Sequence, residues 1–220
     1  MIEQLANFIP TSVMSRSGSV FYSGRSAFTG NRQLYLLGLN PGGSPELQSN
    51  ETIQWHTERV LQEKPKEWSE YQDEKWLGKP AGTHGLQPRV LHLLGELNLL
   101  PRNVPASNVV FVRTAREQEL KNEFVDLAEE CWPFHAHVMR ELNIKTVLCF
   151  GHTAGNWVRE KIEASEPIGI FEERNKRKWK SRAFKNKDGI SVVVATHPSI
   201  AAWNTPAANP VSLVRRALAC

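Results

Sequence analysis

The chain has 220 residues, 40% of them hydrophobic and 23% charged, with a formal net charge of +4. That length suits one ordinary domain with a real core, and no apolar run approaches the length of a membrane span. Cys131, Cys149 and Cys220 are odd in number and widely spaced. They argue against a disulfide scaffold and a four-cysteine metal or iron–sulfur site, and for a reducing compartment, cytoplasmic or nuclear.

Met1 to Pro10 carries an acid at Glu3 and no positive flank ahead of an apolar segment, so no secretory signal is expected. Residues 11 to 31, rich in Ser, Gly and Arg with Phe21, Tyr22 and Phe28 among them, complete an irregular N-terminal segment (1–31) expected to pack across the domain. Leu34 to Leu37 is the first of four short apolar runs; the others are Val109 to Val112, Thr146 to Phe150 and Ser191 to Ala195. Runs this short, with little alternation, suit strands buried on both faces of a parallel sheet.

Gly38-Leu39-Asn40-Pro41-Gly42-Gly43 follows the first run directly. The glycines allow positive φ and close approach of the backbone to a ligand, and Pro41 fixes the turn. Asn40 then faces the cleft at the strand end, where its carbonyl can orient a water and its amide can donate. The spacing is neither a dinucleotide fingerprint nor a phosphate loop. Trp55, Trp68, Tyr71 and Trp76 come next; most are expected to cover the core of an inserted helical region.

Pro88 suits a first helical turn, with Val90, Leu91, Leu94 and Leu97 on one stripe. Leu120, Phe124, Leu127, Cys131, Phe134, Val138 and Leu142 recur at helical steps, and Pro133 should kink that helix or start a second one. His135 and His137 do not share a helix face, and no Cys or carboxylate completes a site, so no metal is expected there. Thr153, just after Gly151-His152, is placed to cap a further helix, and Asn209-Pro210 to open the last one.

From Arg174 to Lys187 there are eight basic residues and no acid, including Lys176, Arg177, Lys178, Lys180 and Arg182, with Trp179 among them. Such a block neutralises phosphates and offers a stacking face; the bland reading is a solvated basic loop. His197-Pro198-Ser199 follows the last apolar run. Pro198 pushes His197 to an extended backbone, so its ring projects from the strand end, where a neutral imidazole can donate to a developing anion.

Gly38-Leu39-Asn40-Pro41-Gly42 together with His197-Pro198-Ser199 resembles the uracil-DNA glycosylase superfamily, and is most similar to its mismatch-specific and single-strand-selective branches. The similarity in layout spans residues 34 to 204, with motif identity confined to about ten residues. The resemblance implies one α/β domain over 1–220: a three-layer α/β/α arrangement around a four-stranded parallel sheet. It implies hydrolysis of the bond between a damaged base and deoxyribose after the nucleotide is flipped into a pocket, by a monomer acting on DNA without metal or organic cofactor. Asn40 would position the attacking water and His197 would stabilise the departing base. Gly38, Leu39, Pro41, Gly42, Gly43, Pro198 and Ser199 would bind substrate and its phosphates, and Ile200 and Trp203 would wedge into the vacated stack. The superfamily ends its second strand with an Asn that reads the base. Here Thr114, beside Arg113, stands at that point after Val109 to Val112; both are expected to contact the substrate, and the departure opens the pocket to a base other than uracil. The same departure motivates a different reading, a non-catalytic nucleic-acid or nucleotide-binding module. A hydrolase of free nucleosides is a third.

Overall fold

A computed structural model describes all 220 residues. The strands are β1 (Leu34–Gly38), β2 (Ala106–Asn108), β3 (Thr146–Phe150), β4 (Glu166–Glu172), β5 (Lys180–Lys185) and β6 (Ser191–Ala195). The helices are α1 (Ile2–Ala6), α2 (Ile53–Gln62), α3 (Glu70–Asp73), α4 (Gln87–Glu96), α5 (Glu117–Leu120), α6 (Phe124–Glu141), α7 (His152–Lys161) and α8 (Val211–Leu218). No helix is long and apolar enough to cross a membrane.

The protein is α/β, with one six-stranded sheet in the order β2-β1-β3-β6-β5-β4. Four parallel strands form one side of it, with Leu36 opposite Leu148 and Leu148 opposite Val193. Three of them match the expected runs, whereas the second is Ala106–Asn108 and not Val109 to Val112. β5 and β4 then extend the sheet in antiparallel sense, so the sheet is mixed and has six strands rather than four. β4 carries the apolar run Ile168-Gly169-Ile170-Phe171 but is only partly buried, and β5 carries none. Within Lys180-Ser181-Arg182-Ala183 the exposed cations alternate with buried small residues, a half-solvated edge pattern. The basic block therefore spans the turn of a hairpin, Arg174 to Trp179, and its second strand, β5.

Alternation sorts the central strands between two cores. Tyr35, Leu37, Val147, Cys149, Val192 and Val194 face the N-terminal segment, α1, α2, α6 and α7. Leu34, Leu36, Leu148, Phe150, Val193 and Ala195 face α4 and α8. Phe21 and Phe28 are fully buried, and Phe21 meets Phe134 of α6 at 5.5 Å, so the N-terminal segment does pack across the sheet, beginning with a helical turn at α1. α6 runs unbroken through Pro133, which is exposed; the carbonyl at Glu129, also exposed, can turn to water. Thr153 caps nothing: α7 starts from Gly151, and the Thr153 hydroxyl donates to Glu117 instead. Pro210 rather than Asn209 takes the cap position of α8, and Asn209, one residue ahead, accepts from the Val211 N–H through its Oδ1 at 3.0 Å.

Candidate active site

The carboxyl ends of β1, β2, β3 and β6 open into one cleft of about 990 Å³, the edge of an α/β sheet where ligand sites are built. Its far wall is the segment between β1 and α4, which brings Trp55, His56, Glu70, Tyr71 and Trp76 against the strand ends.

Asn40 and Thr114 meet there. The Asn40 Nδ2 donates to Thr114 Oγ1 at 2.8 Å, to the Pro41 carbonyl at 3.1 Å and to the Val112 carbonyl at 3.2 Å. Three acceptors fix the amide nitrogen on the protein side, so Oδ1, which accepts from no protein donor, is the atom presented to the cleft. Thr114 Oγ1 spends its own hydrogen on the Arg116 carbonyl at 3.1 Å. It positions Asn40 and has no hydrogen left for a base. Arg113 is likewise committed, donating to Ser17 Oγ, the Gly42 carbonyl and the Glu51 carboxylate. Both depart from the expectation that they read substrate.

The strand-end asparagine exists, six residues earlier than expected. β2 is Ala106-Ser107-Asn108, and Val109 to Val112 lie beyond it. Asn108 is 5% exposed, lines the cleft beside Tyr22, and its Nδ2 has no hydrogen-bond partner. An unpaired buried amide costs about 1–3 kcal/mol, which a bound acceptor would recover. Gly38 makes room for it, since a Cβ there would sit 2.1 Å from Asn108 Oδ1. Gly38 and half-buried Leu39 thus support the wall. Pro41 is buried, its carbonyl holding the Thr114 N–H at 3.2 Å. Gly43 has φ 121°, and Gly42 pairs with Thr114 across an isolated parallel bridge that ties this turn to the segment after β2.

His197 stands across the cleft at the end of β6. Its Nδ1 accepts from the Ser199 backbone N–H at 3.1 Å and lies 2.7 Å from Ser199 Oγ. A backbone N–H can only donate, so the neutral ring carries its proton on Nε2, which no protein group engages. Burial holds the imidazole below its ordinary range, and the Glu117 carboxylate partly offsets this. Ser199 orients the ring, and buried Pro198 is tied to α4 through Arg89, which donates to its carbonyl.

Of the two proposed wedges, Ile200 is 54% exposed at the cleft and fits that role. Trp203 does not. It is fully buried, edge-on to Phe150 at 5.3 Å, and its Nε1 donates to the Thr196 carbonyl. Lys176, Arg177, Lys178, Trp179 and Lys180 lie at the site end of the hairpin, because β5 runs antiparallel to β6 and the turn before it meets the end of β6. Arg177 stacks on Trp179 at 4.1 Å and donates to the Ile200 carbonyl at 2.6 Å, joining the hairpin to the His197 loop. Arg182 lies exposed further along β5, opposite Val194, and Lys185, opposite Ser191, marks the far end.

Phe150, Tyr71 and Tyr22 form the aromatic floor, spaced 6.1 and 6.2 Å apart. Among the four aromatics of the insertion, Trp68 and Tyr71 are buried, and Trp55 and Trp76 are partly open. Glu70 accepts from Trp76 Nε1 at 2.6 Å, and burial pushes its carboxyl up to about 7. Burial, with Arg113, Arg59 and Lys64 nearby, lowers His56 to about 3. His135 is a satisfied core histidine between the Tyr35 hydroxyl and the Val109 carbonyl. The thiols of Cys131 and Cys149 are buried in the core and pushed upward. The cleft therefore offers an oriented carbonyl, an imidazole donor and a free amide rather than an activated nucleophile. No protein-family model matches the sequence, and no curated protein matches it.

Proposed function

We propose that the protein is a monofunctional DNA glycosylase that hydrolyses the bond between a deaminated base, uracil foremost, and deoxyribose. One observation carries this reading: Asn40, Asn108 and His197, whose Oδ1, Nδ2 and Nε2 atoms make no hydrogen bond within the protein, line a single cleft with an aromatic floor. Uracil in a duplex is out of reach, so the nucleotide flips into the cleft and the hairpin and loop hold its phosphates. The Asn108 amide pairs with the base edge, donating to one carbonyl and accepting from the ring N–H. Asn40 Oδ1 orients a water toward the sugar carbon. As the bond breaks, negative charge grows on the base, and His197 Nε2–H donates to it without transferring charge to the ring. Asn40 is a weak base, so turnover is modest. The three-layer α/β/α scaffold of the resembling superfamily, a monomeric state and a cytoplasmic or nuclear location belong to the same proposal.

The non-catalytic reading rested on Thr114 occupying the strand-end position, and Asn108 occupies it. A base-release screen tests the proposal, with oligonucleotides carrying uracil, xanthine or mismatches and free deoxyuridine as the control. Free base and alkali-labile sites should form from DNA and be lost in Asn40→Ala. Release from free nucleoside alone, or none from any oligonucleotide, rejects the proposal.

A further inference from the structure

The turn Lys75-Trp76-Leu77-Gly78-Lys79 has no part in the chemistry above, yet it forms a lip of the same cleft. Leu77 is 85% exposed, lines the cleft, and holds a left-handed backbone at φ 49° and ψ 39°. A leucine pays a steric cost in that conformation. Trp76 anchors the turn through Glu70, and the Lys79 N–H closes it on the Trp76 carbonyl at 3.0 Å. Lys75 and Lys79 are exposed and form no ion pair. The lip is joined to the catalytic side, since α4 follows it in the chain and Arg89 of α4 holds Pro198. Ile200, two residues beyond, is the other exposed aliphatic at the cleft.

An apolar tip between two free ammonium groups, at the mouth of a cleft, is complementary to a polyanion whose interior is apolar. We propose that this turn is a second insertion element: Leu77 enters the base stack beside the extruded nucleotide while Lys75 and Lys79 hold the flanking phosphates. The inference rests on the reading that the cleft takes a flipped nucleotide. It adds that the preferred substrate is duplex DNA, because only a stacked duplex leaves a gap for Leu77 to hold open.

Leu77→Asn removes the apolar tip and suits the left-handed backbone, so the fold is retained. The probes are a duplex with 2-aminopurine next to uracil and the matching single strand. Wild-type protein should raise 2-aminopurine fluorescence on binding the duplex, and Leu77→Asn should lose at least half of that rise. Duplex base release should fall about tenfold, the scale set by burying one leucine, with single-strand release changed less than about twofold. A Leu77-dependent rise with no base released from any oligonucleotide supports the insertion element and rejects the glycosylase reading. Wild-type behaviour of Leu77→Asn on the duplex, or an equal loss on both DNAs, overturns the inference. Leu77-dependent binding to phosphatidylserine–phosphatidylcholine vesicles with no 2-aminopurine response also overturns it, in favour of a membrane surface.

Discussion

Replacing Thr114 by Val removes the 2.8 Å acceptor of the Asn40 amide and leaves carbonyls at 3.1 and 3.2 Å. Thr114 is half-buried and the two side chains are nearly isosteric, so no cavity opens. A hydrogen bond of this kind is worth about 0.5–1.5 kcal/mol net. If that energy keeps Asn40 Oδ1 aimed at the attacking water, its loss raises the barrier equally and slows kcat about 2- to 12-fold. Substrate binding does not use the Thr114 hydroxyl, so KM should hold. Thr114→Ser keeps the hydroxyl and should stay within about twofold of wild type. Single-turnover and steady-state kinetics on a uracil-containing oligonucleotide measure both constants. A raised KM with unchanged kcat, or equal impairment of Ser and Val, would refute the positioning role. The first pattern would restore Thr114 as a reader of the base.

Asn108→Ala should weaken discrimination for the favoured base by about 1–3 kcal/mol, read as the ratio of kcat/KM between lesions. Gly38→Ala should do the same at a distance, since its Cβ would lie 2.1 Å from Asn108 Oδ1 and displace the amide. Burial lowers the His197 pKa from 6.5, so the neutral donor persists below that pH and kcat/KM should fall only as pH drops through the lowered value; an acid limb centred above 6.5 would contradict the tautomer assignment. Glu70, raised to about 7, costs stability as pH rises from its unfolded value near 4.5 through 7. Glu70→Gln should therefore raise the urea midpoint at pH 8 by the equivalent of about 1–2 kcal/mol, discounted for partial exposure, and leave it unchanged at pH 4. Neutralising Lys176 and Lys178 should lower the slope of log K against log salt for DNA by about 2, whereas Lys185 and Lys187, at the other end of β5, should leave it unchanged.

The ends of β1 and β6 were legible because a buried apolar run stops abruptly at Gly-Leu-Asn-Pro-Gly and at His-Pro-Ser. Asn40, His197 and exposed Ile200 follow from that edge. β2 is not legible in the same way, because hydrophobicity marks burial, not pairing. Val109 to Val112 are buried beyond the strand, whereas Ala106-Ser107-Asn108 pairs with β1 and satisfies Ser107 through the Val20 carbonyl at 2.6 Å. The useful signal was the Asn itself, three residues after a proline and just ahead of the apolar run. β5 is hard to read from sequence because its cations alternate with small residues, a pattern that carries charge more visibly than strand. Trp203 and Arg113 have side chains suited to DNA, and only the packed structure shows the buried partners that claim them.

The most direct test of the account is single-turnover release of uracil from an end-labelled oligonucleotide by wild type, Asn40→Ala and His197→Ala. Wild type should release free uracil and leave an alkali-labile site, and each variant should be slower by about 100-fold or more. Intact DNA with wild-type protein, or equal rates for all three, would contradict it.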